Sequence, residues 1–267
     1  MKLKSDGETP ESYDFWCAMW VLSSMLGRGV HINRPNAPVY MNWYTILVAD
    51  SGITRKSSAV NFAHKVLRDA KNESTRIMSN RSSAEGLDMV LIDQTIAYGK
   101  SYLAIVISEL VRFMGREVHT RNIPGLLTDL YDCPDTRHNV TINRGTCDAR
   151  NVYVTFLSAS TPAWLQTAIN PNVVEGGFTS RVLFILENHR KRRVAWSKVA
   201  PSEQDYEMMM FQLRGCVDRA QKVGQISLSR GAMRKYVNWY QHKPESLTPF
   251  LSSFESREDS HALRLAA

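Results

Sequence analysis

The residues best suited to chemistry stand close together in the first quarter of the chain. The stretch Ala49-Asp50-Ser51-Gly52-Ile53-Thr54-Arg55-Lys56-Ser57-Ser58 gathers an ammonium, a guanidinium and several hydroxyls. A loop that cradles phosphate needs inward backbone N–H groups, a Lys on the terminal phosphates and a hydroxyl on Mg2+. Lys56-Ser57 supplies the last two. The glycines depart from the usual pattern: counted back from Lys56, Asp50 and Arg55 hold the two Gly positions, and only Gly52 remains. An ordinary polar turn with a solvated Arg-Lys pair fits the same string. A second candidate is Ser108-Glu109, directly after the apolar run Leu103 to Ile107. Cleavage of a phosphate anhydride needs an acid at such a strand tip to orient water or hold the metal. Glu109 can do so, with Ser108 binding a metal-bound water where a second acid is more usual. Glu109 equally suits the start of the helix Leu110 to Met114, where a negative charge is favoured.

Positioning these groups requires strands that end where helices begin. Trp43 to Ala49 is an aromatic and β-branched run fit for a strand buried on both faces. Ala59, Val60, Ala63, Val66, Leu67 and Ala70 follow at helical spacing. Ser82 with Glu85 reads as a capping box for a helix to about Asp93. Leu103–Ile107, Val152–Leu157 and Val182–Leu186 read as further buried strands, with helices from Pro124 to Leu130 and from Pro162 to Ile169 between them. Buried strands alternating with helices predict a parallel α/β sheet. An earlier helix, about Ser12 to Leu26, carries Trp16, Met19, Trp20 and Ser23 on one face. The residues after about Glu187 are basic, then helical, and predict a small lid.

Composition limits the alternatives. The chain has 267 residues, of which 43% are hydrophobic, with 14 Gly and 10 Pro, so it has the apolar mass for a sizeable core and is neither disordered nor fibrous. Its longest apolar stretch, Phe15 to Leu26, is short of the roughly 20 residues of a membrane span, and its first residues are polar where a leader would be apolar. A soluble, cytoplasmic protein is expected. The net charge of +7 is compatible with a polyanionic partner or with a merely basic protein. Cys133, His138 and Cys147 lack a fourth zinc ligand, and the four cysteines are expected as free buried thiols.

Taken in order, Met41-Asn42-Trp43-Tyr44 with Leu47-Val48-Ala49, Ser51-Gly52, Arg55-Lys56-Ser57, Ile107-Ser108-Glu109, Leu127 to Asp132, Asn151 to Leu157, Ser158 to Pro162 and Gly177 to Phe184 resemble a known family. It is the AAA+ P-loop ATPase domain of primase–helicase-like replication proteins of phages, prophages and integrative elements. The likeness runs from about Glu11 to the end, and an Arg before the P-loop Lys is typical of that family. It implies an α/β P-loop NTPase with a parallel sheet flanked by helices and a C-terminal helical lid. The divisions would be an N-terminal helical segment (1–38), an ATPase core (39–188) and a linker with lid (189–267). ATP and Mg2+ are the implied cofactors. Ser51, Gly52, Ile53, Thr54, Arg55, Lys56, Ser57 and Ser58 would form the loop, with Lys56 on the β- and γ-phosphates. Ser57, Ser108 and Glu109 would hold the metal, Glu109 would activate water, and Ser160 or Thr161 would sense the γ-phosphate. Arg181 would be an arginine finger acting on the next subunit of a ring or filament, unless it is a surface Arg paired with Glu175 or Glu187. Arg264 is either a second sensor or a helix-surface Arg. Related domains continue past Ala267.

Between Glu109 and the third strand, Val140 and Ile142 followed by Asn143-Arg144-Gly145 read as a β-hairpin. In helicases of this broad type such a hairpin faces the pore, where Arg137, His138 and Arg144 would follow the phosphates of single-stranded or forked DNA. A solvated hairpin is the alternative, and His189 to Arg193 is a second basic cluster open to either reading. The resulting expectation is a homo-oligomeric ATP-driven motor in mobile-element replication, working with a primase and no membrane. A slowly hydrolysing switch that recruits other proteins is the first rival, favoured by Ser108. A small-molecule kinase is the second.

Overall fold

Tyr13, Cys17, Trp20, Val21 and Ser24 form the stripe that the first helix, α1 (Glu11–Leu26), buries. Trp16 and Met19, expected on that face, are only half-buried, because α1 packs on its Tyr13 side. The structure is a computed structural model and describes residues 7–35, 37–70, 75–79, 82–114, 123–141, 145–169, 177–195, 202–244 and 249–267.

Two short antiparallel strands, β1 (His31–Ile32) and β2 (Val39–Tyr40), lead into β3 (Tyr44–Val48), which is buried throughout. Helix α2 (Lys56–Asp69), β4 (Thr75–Met78), α3 (Ala84–Tyr98) and β5 (Tyr102–Ile107) follow. Ser83, not Ser82, caps α3 through the Gly86 amide. Next come α4 (Leu110–Met114), α5 (Ile123–Tyr131), the antiparallel hairpin β6 (Thr136–Thr141) and β7 (Gly145–Arg150), then β8 (Tyr153–Ser160). Helices α6 (Pro162–Ala168) and α7 (Phe178–Arg181) precede β9 (Val182–Leu186).

Five of these strands form one sheet in the order β4-β5-β8-β3-β9, every neighbouring pair parallel. The fold is α/β, as the alternation of runs predicts, and is compatible with a P-loop-like arrangement. The pattern of apolar runs predicts four of the strands; β4 adds a fifth at one edge, too short and polar to stand out as a run. β9, expected to be buried, is the other edge, and it leaves Phe184 and Leu186 exposed.

Only the β3-to-β4 connection crosses the sheet in one direction; the later crossovers all return in the other. Right-handed crossovers therefore send α2 to one face and α3 to α6 to the other. The apolar clusters follow this division. Leu47, Ala104, Val106 and Leu157 pack with α1 and α2. Ile46, Ile105 and Phe156 pack with α3, α4 and α5. At the tips of β3 and β8 the chain thus leaves toward opposite faces, which opens a crevice there.

The last part of the chain comprises α8 (Glu203–Val223), β10 (Gln225–Ile226), α9 (Arg230–His242) and α10 (Pro249–Ala266). Met210 and Val217 of α8 pack into the α1–α2 cluster, and β10 pairs with β1. Strands β1 and β10 thus join segments 1–38 and 189–267 in a three-stranded sheet, β10-β1-β2, whose strand β2 belongs to segment 39–188, and Val30, Ile32 and Leu263 pack there with Val39 and Met41. No helix among the described residues is long and apolar enough to cross a membrane.

Candidate functional site

The crevice at the C-terminal ends of β3, β5 and β8 holds a cavity of about 540 Å³. From the loop and α2 it is lined by Ser51, Gly52, Arg55, Lys56, Ser57 and Ser58; from the end of β5 by Ser108, Glu109, Leu110 and Val111; and from the end of β8 by Ala159, Ser160, Thr161 and Trp164. Residues separated by more than a hundred positions converge because parallel strands place all their C-terminal ends along one sheet edge.

Local geometry explains the loop. Arg55 has φ 56° and ψ 33°, a left-handed conformation that favours Gly. Arg55 thus adopts a backbone shape usual for glycine, and its Nε donates to Glu8 Oε2 at 2.7 Å. Gly52 also has positive φ, 75°, with open space where a Cβ would stand. No side chain caps the first turn of α2, whereas Ser83, Thr161, Ser202 and Ser229 cap α3, α6, α8 and α9. The first N–H groups of α2 and the positive end of its dipole stand beside the cavity.

Lys56 Nζ donates to the Asp50 carbonyl at 3.2 Å. Burial draws its ammonium pKa below the ordinary lysine range, against the pull of the Asp50 and Glu109 carboxylates. The Ser57 hydroxyl reaches the Ser108 carbonyl at 3.5 Å and so spans from α2 to the tip of β5. Glu109 is ion-paired with Arg112 at 2.8 Å. The Ser160 hydroxyl, at the end of β8, donates to the Thr161 carbonyl at 3.4 Å, while the Thr161 hydroxyl accepts from the Trp164 amide. Ile53 and Thr54 do not line the cavity. Thr54 is fully buried, and its hydroxyl donates to Tyr13, whose own hydroxyl donates to the Val48 carbonyl. Trp164, Leu110 and Val111 escape a sequence reading focused on polar groups; Trp164 is signalled only by its place in the first turn after a strand tip.

The more distant candidates behave differently. Arg181 does not project. It is 8% exposed, at the N-terminal end of β9 and the opposite sheet edge from the cavity. Its Nη2 donates to Asp132 at 2.9 Å and its Nη1 to the Gly177 carbonyl at 3.0 Å. Among the described residues the acid that holds it is Asp132 and not Glu187, which accepts from Ser12; Glu175 lies outside the described residues. Arg264 is neither a surface residue nor near the cavity: it is buried against Tyr40, Asn42 and Tyr131. Arg137 is not free for a phosphate strand, because Asp88 and Asp129 both engage it, at 2.9 and 3.4 Å. His138 is exposed and paired across the hairpin with Asp148 at 2.9 Å. Arg144 lies outside the described residues. Arg190 and Lys191 of the second basic cluster pair with Glu8 and Glu11.

Among the described residues, none after Trp164 lines the cavity. Cys133 is buried, with its thiol pushed up to about 12 by burial, and it does not join His138 and Cys147 in a metal site. Cys216 is exposed, not buried. No protein-family model matches the chain, and no curated protein matches it in sequence.

Proposed function

We propose that the cavity binds ATP with Mg2+ and that the chain is an ATPase of the AAA+ kind, working as a homo-oligomer on DNA in mobile-element or phage replication. The observation that carries this reading is the convergence of Lys56, Ser57, Glu109 and Ser160 on one cavity, beside an uncapped helix start. Its volume, about 540 Å³, falls in the range of small-ligand sites, roughly 300–1,000 Å³. No group of three or more His, Cys, Asp or Glu side chains among the described residues could hold a metal. Ser57 and Glu109 would hold the metal together with phosphate oxygens. When bound, Mg2+ supplies charge neutralisation to the phosphates. Lys56, released from the Asp50 carbonyl, adds a positive charge beside them. The amides of α2 hold the phosphate oxygens, and Glu109, released from Arg112, orients water.

The slowly hydrolysing switch remains the second reading, and specific features favour it. Ser108 replaces an acid, Arg112 holds Glu109, and Arg181 is folded onto Asp132 in its own chain. Binding of a fluorescent ATP analogue, ATPase rate with and without single-stranded DNA, and light scattering test the proposal together. The motor reading expects submicromolar to micromolar binding lost at least tenfold in Lys56→Ala, DNA-stimulated turnover, and nucleotide-dependent assembly. Binding with slow, DNA-independent turnover selects the switch. Binding unchanged in Lys56→Ala rejects the ATP site itself.

A further inference from the structure

A second cleft, of about 380 Å³, opens at the other end of the sheet, between the segment around β2, the end of α5 and helix α10. It lies beyond the start of β3, whose five residues span roughly 16 Å, so it is separate from the first cavity. Its walls carry Arg34, Arg257 and Arg264.

Charge is not balanced there. Arg34 is paired with Asp259 at 2.9 Å. Asp132 receives both Arg181 and Arg257, at 2.9 and 2.8 Å. Arg264 has no carboxylate partner among the described residues: it donates to the Tyr40 carbonyl at 2.7 Å, the Tyr131 hydroxyl at 2.5 Å and Asn42 Oδ1 at 3.3 Å. Among the described residues, Arg34, Arg257 and Arg264 of the cleft wall, with Arg181 behind Asp132, thus meet two carboxylates, an excess of two positive charges. Arg264 is 6% exposed and uses three of its five N–H groups in these bonds. A buried cation held only by neutral acceptors is costly unless an anion completes it. His261 nearby is kept uncharged by burial, and Arg28 is closed by its own pair with Asp135.

We infer that this cleft is an oxyanion site that takes a phosphate group, either free phosphate or a phosphate monoester, between Arg34, Arg257 and Arg264. Planar guanidinium forks match phosphate oxygens two at a time, and a phosphate dianion cancels the local excess. The site does not depend on the nucleotide reading of the first cavity.

Calorimetric titration of the full chain carrying Lys56→Ala tests it, with inorganic phosphate and with adenosine monophosphate at low ionic strength. Arg264 also fastens α10 to the sheet, so the substitutions are placed at the more exposed Arg34 and Arg257. The Lys56→Ala chain is expected to bind phosphate, and adding Arg34→Gln and Arg257→Gln is expected to weaken it at least tenfold with an unchanged circular dichroism spectrum. Tighter binding of the monophosphate, itself lost in the triple variant, identifies an ester as the ligand; equal binding identifies the free ion. Absence of phosphate binding in Lys56→Ala overturns the inference, and so does binding that the two further substitutions leave unmoved.

Discussion

Arg55 shows how a single residue can hold a backbone shape that its type does not announce. A left-handed conformation costs a non-glycine residue about 1–2 kcal/mol, and a solvent-screened ion pair such as that with Glu8 offsets little of it. Arg55→Gly is therefore expected to raise stability by about 0.5 kcal/mol in urea unfolding, and Arg55→Val to lower it by about 1–2 kcal/mol, since β-branched side chains tolerate positive φ worst. Equal stabilities of the two variants would contradict the strain. The types of Lys56, Ser57, Glu109 and Ser160 are legible in the sequence because each carries its chemistry in its own side chain. What holds Arg181 is not: Asp132 stands far off along the chain, and only the packing of α7 on α5 brings them together. Asp132 itself shows the consequence. Burial raises its pKa, yet the hydrogen bonds of Arg181 and Arg257 outweigh this and hold the carboxyl below the usual range.

At the scale of elements, the end of α1 is a case of complete hydrogen-bond accounting. A helix C-terminus leaves its last carbonyls without partners. Here the Ser23 carbonyl accepts from Tyr153 at 2.8 Å, that of Ser24 from Thr75 at 3.3 Å, and those of Met25 and Leu26 from Gln221. The helix is thereby fixed to β8, β4 and α8 at once. Tyr153→Phe leaves a buried carbonyl without its donor and is expected to cost about 1–3 kcal/mol in equilibrium urea unfolding; a loss below a few tenths would mean that the bond adds nothing. The strands of the sheet interior are legible in the sequence because burial on both faces makes them continuous apolar runs. The half-polar edge strand β4 and the two-residue strands of the small sheet carry no such run, and partners far along the chain define them.

Across the whole molecule, α10 ties the last residues back to the start of the main sheet. His261 is the centre of that contact. Its ring stacks between Trp43 and Phe254, Nε2 meets the Ser180 carbonyl at 3.1 Å, and Nδ1 faces the Tyr131 hydroxyl at 3.4 Å. Burial lowers its pKa from 6.5 to about 4, against the Ser180 hydrogen bond. The unfolded chain takes up a proton between those values and the folded chain does not. Stability contributed by the neutral ring is therefore complete above pH 6.5 and is lost as pH falls toward 4, by about 1.4 kcal/mol per unit at most. Urea midpoints at pH 7, 6 and 5 are expected to fall in this chain and to stay flatter in His261→Gln; parallel slopes would remove His261 as the cause. The small sheet takes β1 from before residue 38, β2 from just after it and β10 from beyond residue 189, a pairing that no local pattern announces.

Glu8 gives the loop a consequence of a different kind. Its carboxyl is held below the ordinary range first by the Val194 amide and then by Arg55, while Arg190 and the Lys191 amide also bind this residue. A phosphate that turns the Arg55 guanidinium inward must unhook it from Glu8. The same carboxylate accepts from the Val194 amide and from Arg190, so one side chain near the start of the chain joins the crevice loop to the chain that leaves β9.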